Sequence, residues 1–198
     1  SFPFYGTLLP YSFIFMVPSN IFGEFPTETF VVCSNHHSFT DTMSLIRVFL
    51  RQSWTAIGAL KTFLWPPFAF FMLGWGILLS RSRNRTKARM RGLRAVSKAR
   101  KHLAHGTNVL VYPEGKRNVT LGSFKSGAFR LAAQTGIPVL PVMVQWKKRY
   151  VIRKKRLMWF CPQELSIRIL LPVDSTPYTE DTYRDLRDVV WRKMFKYQ

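Results

Sequence analysis

Short runs of β-branched and other apolar residues recur along the chain, bounded by glycine, proline or small polar residues. Runs of this length and composition predict buried strands. Such runs are "TFVVCS" at 29–34, "WTAIGA" at 54–59, "GILLSR" at 76–81, "NVLVYP" at 108–113, "IPVLPVMVQW" at 137–146 and "LSIRILLP" at 165–172. The pattern therefore predicts a sheet built from these strands.

Segments with helical spacing alternate with the strands. This alternation predicts an α/β fold: a single domain with a mostly parallel or mixed sheet flanked by helices. Ligands of such sheets bind beyond the carboxyl ends of the strands, so residues that directly follow a strand are the first candidates for a site. The predicted helices are 41–52, with Leu45, Val48 and Phe49 on one side, 85–106, closed by Gly106, 124–136, closed by Gly136, and Glu180 to Lys196.

Two uncharged segments stand apart from this alternation. The first runs through Gly23 and the second from Thr62 to Ser80, and prolines and glycines interrupt both. The pieces between these breaks are shorter than a bilayer-spanning helix needs. We therefore predict that residues 1–28 form an apolar, membrane-interfacial segment and that residues 29–198 form the folded domain, with the second segment partly facing the membrane.

The charge balance narrows the choice of partners. The 198 residues include 30 Lys and Arg against 10 Asp and Glu, a net charge of +20, and 47% of them are hydrophobic. That apolar content argues against disorder. So large a positive charge attracts polyanions, which means nucleic acid, an anionic membrane surface or small phosphorylated molecules.

Acidic residues are almost absent from the centre of the chain. Between residues 29 and 163 only Asp41 and Glu114 carry a carboxylate. Asp41 ends "NHHSFTD" after the first predicted strand, and Glu114 lies in "YPEGKRN" after the fourth. Because the carboxyl ends of parallel strands share one edge of a sheet, both carboxylates are expected at that edge.

The "NHHSFTD" segment offers a histidine and a carboxylate at a spacing that a turn can close. Asp41 would orient the ring of His36, which would then act as a general base for acyl transfer to a hydroxyl that the substrate supplies. His37 competes for this role, and spacing alone does not exclude it. A simpler alternative is that Asp41 only caps the following helix. No metal site is predicted, because the two cysteines, Cys33 and Cys161, do not cluster with the histidines.

Four blocks of the sequence, between residues 29 and 145, resemble the glycerolipid acyltransferase family, which includes lysophosphatidic acid acyltransferases. They are "NHHSFTD", "GWGILLSR", "YPEGKR" and "GIPVLPV", in the family's order. The resemblance implies a glycerol-3-phosphate acyltransferase-like fold over 29–198, with His36 and Asp41 as catalytic residues. It also implies that the acceptor's glycerol and phosphate are bound by Glu114, Gly115, Arg117, Arg81 and Lys61.

This resemblance implies transfer of a fatty acyl group from acyl-CoA or acyl carrier protein to lysophosphatidic acid, which gives phosphatidic acid. The thioester is a co-substrate, and no cofactor is expected. The resemblance also implies contact with a membrane, and the basic residues favour an anionic membrane surface. The active site is expected at the cytoplasmic face. Lys116 stands where the family has threonine, and it adds a cation that would contact phosphate. The acceptor is therefore left open between lysophosphatidic acid, glycerol 3-phosphate and another lysophospholipid.

The sequence also leaves two other functions open, a nucleic-acid-binding protein and an inactive scaffold. A basic nucleic-acid-binding protein would need aromatic residues interleaved with cations, and only "WKKRYVIRKKR" at 146–156 has that pattern. Most of the aromatic segments "FPFYGTLLPYSFIF" and "FLWPPFAFF" is free of nearby positive charge, so nucleic acid is not the expected partner. An acyltransferase-like scaffold without activity is the third alternative, although His36, Asp41, Glu114 and Arg117 are all present.

Overall fold

The computed structural model describes residues 20–37, 39–48, 52–59, 76–79, 84–146 and 165–198. Lys61 and Arg81, two of the predicted phosphate-binding residues, lie outside these ranges. So do residues 1–19 and most of the second uncharged segment. The predicted boundary between an interfacial segment and a domain at residue 28 therefore stays a prediction.

The described elements follow the predicted order of strands and helices. Their bounds are β1 Asn20–Phe22, β2 Val31–Ser34, α1 Phe39–Val48, β3 Trp54–Ala59, β4 Gly76–Leu79, α2 Arg85–Ala104, β5 Asn108–Val111, α3 Gly127–Thr135, β6 Val139–Trp146, β7 Leu165–Ile169 and α4 Tyr183–Phe195. The six predicted strands are confirmed as β2 to β7. Strand β1 was missed, because its three residues lie in the apolar segment that was assigned to the membrane interface.

The strands form one mixed sheet in the order β1-β7-β6-β2-β5-β3-β4. Strand β2 lies in the middle and pairs in parallel with β5 and β6, so that Cys33 faces Val111 on one side and Pro141 on the other. Strand β7 is antiparallel to β6 and parallel to β1. The predicted fold class, a single α/β domain with a mixed sheet, is confirmed.

Helices cover the sheet unequally in the described part of the chain. Helices α2, α3 and α4 pack their apolar sides on one face, where Cys33 is fully buried and where burial raises the pKa of its thiol. Leu45 of α1 packs on the opposite face with Phe30 and Val32. Buried side chains from the three helices on the first face include Ala95, Ala99, Leu103, Phe129, Leu131, Leu186, Val190 and Met194.

Helix α2 begins at the predicted residue, Arg85, and ends at Ala104, two residues before the predicted Gly106. The side chain of Asn84 accepts a hydrogen bond from the backbone N–H of Lys87 at 3.0 Å, which caps the first turn. After the helix, Gly106 has a φ of +72°, a conformation that glycine adopts without steric cost. No helix among the described residues combines the length and the apolar character that crossing a bilayer requires.

Candidate active site

The Asp41 carboxylate lies at the carboxyl edge of the sheet, in the first turn of α1, and is completely buried. Its Oδ2 accepts hydrogen bonds from the ring Nδ1–H of His36 at 3.2 Å and from the backbone N–H of His37 at 2.6 Å. Its Oδ1 accepts a hydrogen bond from the indole N–H of Trp146 at 3.1 Å. The predicted approach of Asp41 to His36 is therefore present, and the carboxylate fixes which ring nitrogen of His36 carries the proton.

The His36 ring is partly open to solvent, with 19% of its side chain exposed. It stacks on Tyr112, with ring centroids 4.1 Å apart and an angle of 20° between the planes. The Tyr112 hydroxyl is hydrogen-bonded to Thr42 at 2.8 Å. Because Asp41 engages Nδ1, the unprotonated Nε2 is the atom of this ring that can take a proton from a bound molecule.

The neighbouring histidine has both ring nitrogens engaged. Nδ1–H of His37 donates to the backbone carbonyl of Asn118 at 2.7 Å, and Nε2 accepts from the side-chain amide of Asn35 at 2.7 Å. Asn35 is itself held by the backbone of Val144 through two hydrogen bonds. A ring fixed in this way has no free nitrogen for a substrate, so the geometry favours His36 over His37 as the base.

Glu114 connects the "YPEGKR" block, in which it lies, to the "NHHSFTD" block. The residue is only 4% exposed, and its Oε1 accepts a hydrogen bond from the backbone N–H of His36 at 3.1 Å. Its Oε2 accepts from the backbone N–H of Gly122 at 2.9 Å and from the side-chain amide of Asn118. These contacts are internal to the protein and position the loop. The predicted contact of Glu114 with an acceptor molecule stays a prediction.

Asn118 was not predicted, yet it joins the same two blocks. Its backbone N–H donates to the carbonyl of His36 at 2.8 Å, while its own carbonyl accepts from His37. With Glu114, it therefore binds the turn after β2 to the loop after β5. The sequence carried a weak signal for Asn118, its place directly after "PEGKR". Trp146 had no comparable signal, since an aromatic residue at the end of a strand is common and indicates no particular contact.

Cations border this loop. Lys116 and Arg117 are both exposed, as the side chains of phosphate-binding residues must be. Gly115 has a φ of +65°, and a side chain there would collide with Lys125, which lies directly over it. The backbone N–H of Lys125 donates to the carbonyl of Pro113 at 2.8 Å, which fixes the backbone at Lys125 beside the loop. Lys125 was not predicted, and it adds a third cation beside the loop.

No metal centre is found in the part of the chain that the structure describes, where no three His, Cys, Asp or Glu side chains lie close enough together to hold an ion. The nucleic-acid alternative depends on residues 146–156, of which only Trp146 is described. That indole contacts the buried Asp41. The described residues therefore supply a histidine with a carboxylate partner and a cation-bordered loop, which is an arrangement for acid–base chemistry on an anionic molecule.

A family model described as "Acyltransferase" matches residues 20–145, which include β1 to β5, all of β6 except its last residue, and every described site residue except Trp146. This chain belongs to that acyltransferase family. The resemblance drawn from the four sequence blocks is thereby confirmed.

Individual relatives agree with this assignment. The chain is 30% identical over 171 residues to the mouse protein 1-acyl-sn-glycerol-3-phosphate acyltransferase alpha, covering 85% of this chain and 58% of that protein. It is 31% identical over 162 residues to 1-acyl-sn-glycerol-3-phosphate acyltransferase of Haemophilus influenzae, covering 79% and 62%. The chain thus spans less than two thirds of these relatives.

A solved structure is similar to this chain over most of its length. The crystal structure of the 1-acyl-sn-glycerophosphate (LPA) acyltransferase PlsC from Thermotoga maritima aligns with a TM-score of 0.68 and 28% sequence identity. The alignment covers 91% of this chain and 69% of PlsC.

Proposed function

We propose that this chain transfers an acyl group from an acyl thioester to the free hydroxyl of lysophosphatidic acid, with His36 as the general base. The observation that carries the proposal is the contact between His36 Nδ1 and the buried Asp41 carboxylate, which leaves Nε2 as the proton acceptor. The names of the relatives at about 30% identity support the choice of acceptor.

In this reaction Nε2 of His36 removes the proton from the acceptor hydroxyl as its oxygen attacks the thioester carbonyl. A carbon–oxygen bond forms and the carbon–sulfur bond breaks. The protonated ring returns its proton to the departing sulfur, so the products are an ester, phosphatidic acid, and a free thiol. Asp41 stays ionised and stabilises the protonated ring between these two steps.

The acceptor's phosphate binds at the cation-bordered loop. Lys116 and Arg117 are exposed beside the turn that carries His36, and a guanidinium can hold phosphate oxygens through two hydrogen bonds. Lys61 and Arg81 complete the predicted set. Glycerol 3-phosphate and other lysophospholipids carry the same phosphate and remain alternative acceptors, while the thioester comes from acyl-CoA or acyl carrier protein.

The reaction takes place at an anionic membrane surface, with the active site at the cytoplasmic face. Helix α2 supports this proposal, because it contains no acidic residue and exposes both cations and apolar side chains. Met90 is 50% exposed and Leu93 is 43% exposed between Arg89 and Arg94. Basic residues with apolar neighbours are typical of helices that bind to anionic lipid surfaces.

Thiol release from a long-chain acyl-CoA in detergent micelles tests the proposed function. Wild type, His36→Ala and the control His102→Ala are each assayed with and without lysophosphatidic acid. His102 is an exposed histidine of α2, so its replacement should leave the rate unchanged. We expect wild type to release thiol only when the acceptor is present. The rate should fall by at least about a hundredfold in His36→Ala and should be unchanged in His102→Ala. Undiminished release in folded His36→Ala would exclude His36 as the base.

A further inference from the structure

The two oxygens of the Asp41 carboxylate contact different groups. Oδ2 faces the histidine pair, whereas Oδ1 accepts a hydrogen bond from the indole N–H of Trp146 at 3.1 Å. The donor comes from the end of β6, 105 residues further along the chain. The indole N–H and the imidazole N–H both donate to the same fully buried carboxylate. Each donor therefore weakens the interaction of the carboxylate with the other.

Trp146 is held in place from the turn that carries His36. The side chain of Asn35 donates to the carbonyl of Val144 at 2.9 Å and accepts from its backbone N–H at 2.7 Å. This pair of bonds fixes the end of β6 two residues before Trp146. The Trp146 ring also packs against the buried cluster on the α1 side of the sheet. Its indole is therefore positioned by both backbone and side-chain contacts.

We propose that Trp146 is a positioning residue for the acyl transfer, which fixes the Asp41 carboxylate and limits the negative charge that it presents to His36. This inference rests on the proposed function, since it assigns Trp146 a role in the action of the same base. Trp146 does not touch the reacting atoms and acts only through Asp41.

The pH dependence of the reaction is the property that this role controls. Without the indole donor, the carboxylate interacts more strongly with His36 and stabilises its protonated form. The base then becomes available only at higher pH, so the ascending limb in a plot of kcat/KM against pH shifts to higher pH. A residue that only supported the fold would lower the rate without moving this limb.

Lys116 and Arg117 lie exposed in the loop after β5, and few other titratable groups are bonded to or stacked on Asp41 and His36 in the described part of the chain. They are His37, whose ring nitrogens are both engaged, Glu114, which contacts the backbone of His36, and Tyr112. Burial and the Asp41 charge raise the pKa of Tyr112, so its phenol stays neutral across the assay range. Because these neighbours are the same in wild type and variant, a change in the ascending limb reports on His36 and on Asp41, whose carboxylate Trp146 contacts.

The test compares Trp146→Phe with wild type, because phenylalanine keeps an aromatic ring and deletes the N–H. The matched control is Trp54→Phe, a buried tryptophan at the start of β3, at the sheet edge opposite His36. We expect kcat/KM to fall between about two- and tenfold in Trp146→Phe, with the limb moving up by roughly 0.5 pH unit. Trp54→Phe should leave the limb in place. An unmoved limb in active Trp146→Phe overturns the proposal.

A second measurement needs neither enzymatic activity nor the Trp146 variant. The chain has six tryptophans, so a ¹⁵N-labelled sample gives up to six indole N–H resonances. Replacing Asp41 by Asn turns a charged acceptor into a neutral one, and the indole bonded to it should shift upfield. If no indole resonance moves, the contact with Trp146 is absent and the proposal fails. If wild type releases no thiol but one resonance moves, the proposed function fails while the contact stands.

Discussion

The backbone N–H of His36 donates a hydrogen bond to Oε1 of Glu114, a residue 78 positions further along the chain. This bond joins the turn after β2 to the loop after β5, and the Glu114 carboxylate has almost no access to solvent. The position of the base is therefore tied to a carboxylate that was first predicted to bind substrate.

Replacing Glu114 by Gln should disrupt both stability and activity. An amide offers one acceptor oxygen instead of two, so its NH₂ group would face a donor, such as the N–H of Gly122 or of His36. We expect the free energy of unfolding to fall by about 2 kcal/mol, with a large loss of turnover. Urea unfolding and thiol release measure the two effects. Glu24→Gln, the same change at an exposed site, is the control. Unchanged stability in Glu114→Gln would contradict the internal role.

Replacing the two adjacent histidines by alanine should give opposite results. His37→Ala removes the donor to the Asn118 carbonyl and the acceptor of one Asn35 amide N–H, so it should lower the free energy of unfolding by about 1 to 3 kcal/mol. His36→Ala should cost less stability, because the ring is partly exposed, but it should remove turnover. Chemical denaturation measures the stability of both variants, and thiol release measures their turnover. Retained stability in His37→Ala, together with lost turnover, would return His37 to candidacy as the base.

Two glycines provide a matched pair for the loop. A Cβ at Gly122 would lie 2.5 Å from the side-chain nitrogen of Asn118 and 3.0 Å from Oε2 of Glu114. Gly122→Ala should therefore destabilise the protein by about 1 to 3 kcal/mol. At Gly92, in the middle of α2, a Cβ would meet nothing within 4 Å, so Gly92→Ala should stabilise by about 0.5 to 1 kcal/mol. Thermal unfolding of both variants checks the signs, and a stable, fully active Gly122→Ala would refute the close packing of this loop.

The sequence was sufficient to predict some of these relationships and not others. Asp41 and Glu114 were expected at one edge because each directly follows a strand, a relation that parallel strands preserve. Trp146 and Asn118 were missed because their contacts depend on the path of loops and on the exact end of a strand. Strand β1 was missed for a related reason: three residues, of which only Ile21 and Phe22 are apolar, are too few to show a period, and only pairing with β7 defines them as a strand.

Tyr112 should make stability depend on alkaline pH. Burial first, and the charge of Asp41 second, raise the pKa of its phenol. The phenol of the unfolded chain ionises at about pH 10, so above that pH the unfolded state loses a proton that the folded state keeps, and stability falls as pH rises. Above this pH, the free energy of unfolding of Tyr112→Phe should fall less steeply than that of wild type, by about 1.4 kcal/mol per pH unit. The free energy of unfolding of both proteins, measured from pH 8 to pH 11, provides the comparison. Equal slopes above pH 10 would rule out this contribution.

Helix α2 should contribute to vesicle binding in a salt-dependent manner. Replacing Lys87, Arg94 and Lys98 by Gln removes three exposed cations from one helix. We expect vesicles that contain anionic lipid to bind this variant at least about tenfold more weakly at low salt, with a smaller difference at high salt. Co-sedimentation measures the binding. The control replaces three exposed cations near α4, Arg184, Arg192 and Lys196, by Gln. Equal weakening in both variants would show that net charge alone determines binding.

The pairing of β2 with β5 at the centre of the sheet also bears on how the protein folds. The turn with the two histidines and the loop with Glu114 belong to separate strand–helix units, and neither loop can reach its final conformation before the two strands are in register. Contacts between residues this distant in sequence form slowly, because the intervening chain must first lose its freedom. A catalytically competent arrangement therefore arises only at the end of folding, and a nascent chain released before β5 would carry the histidines without the partners that orient them.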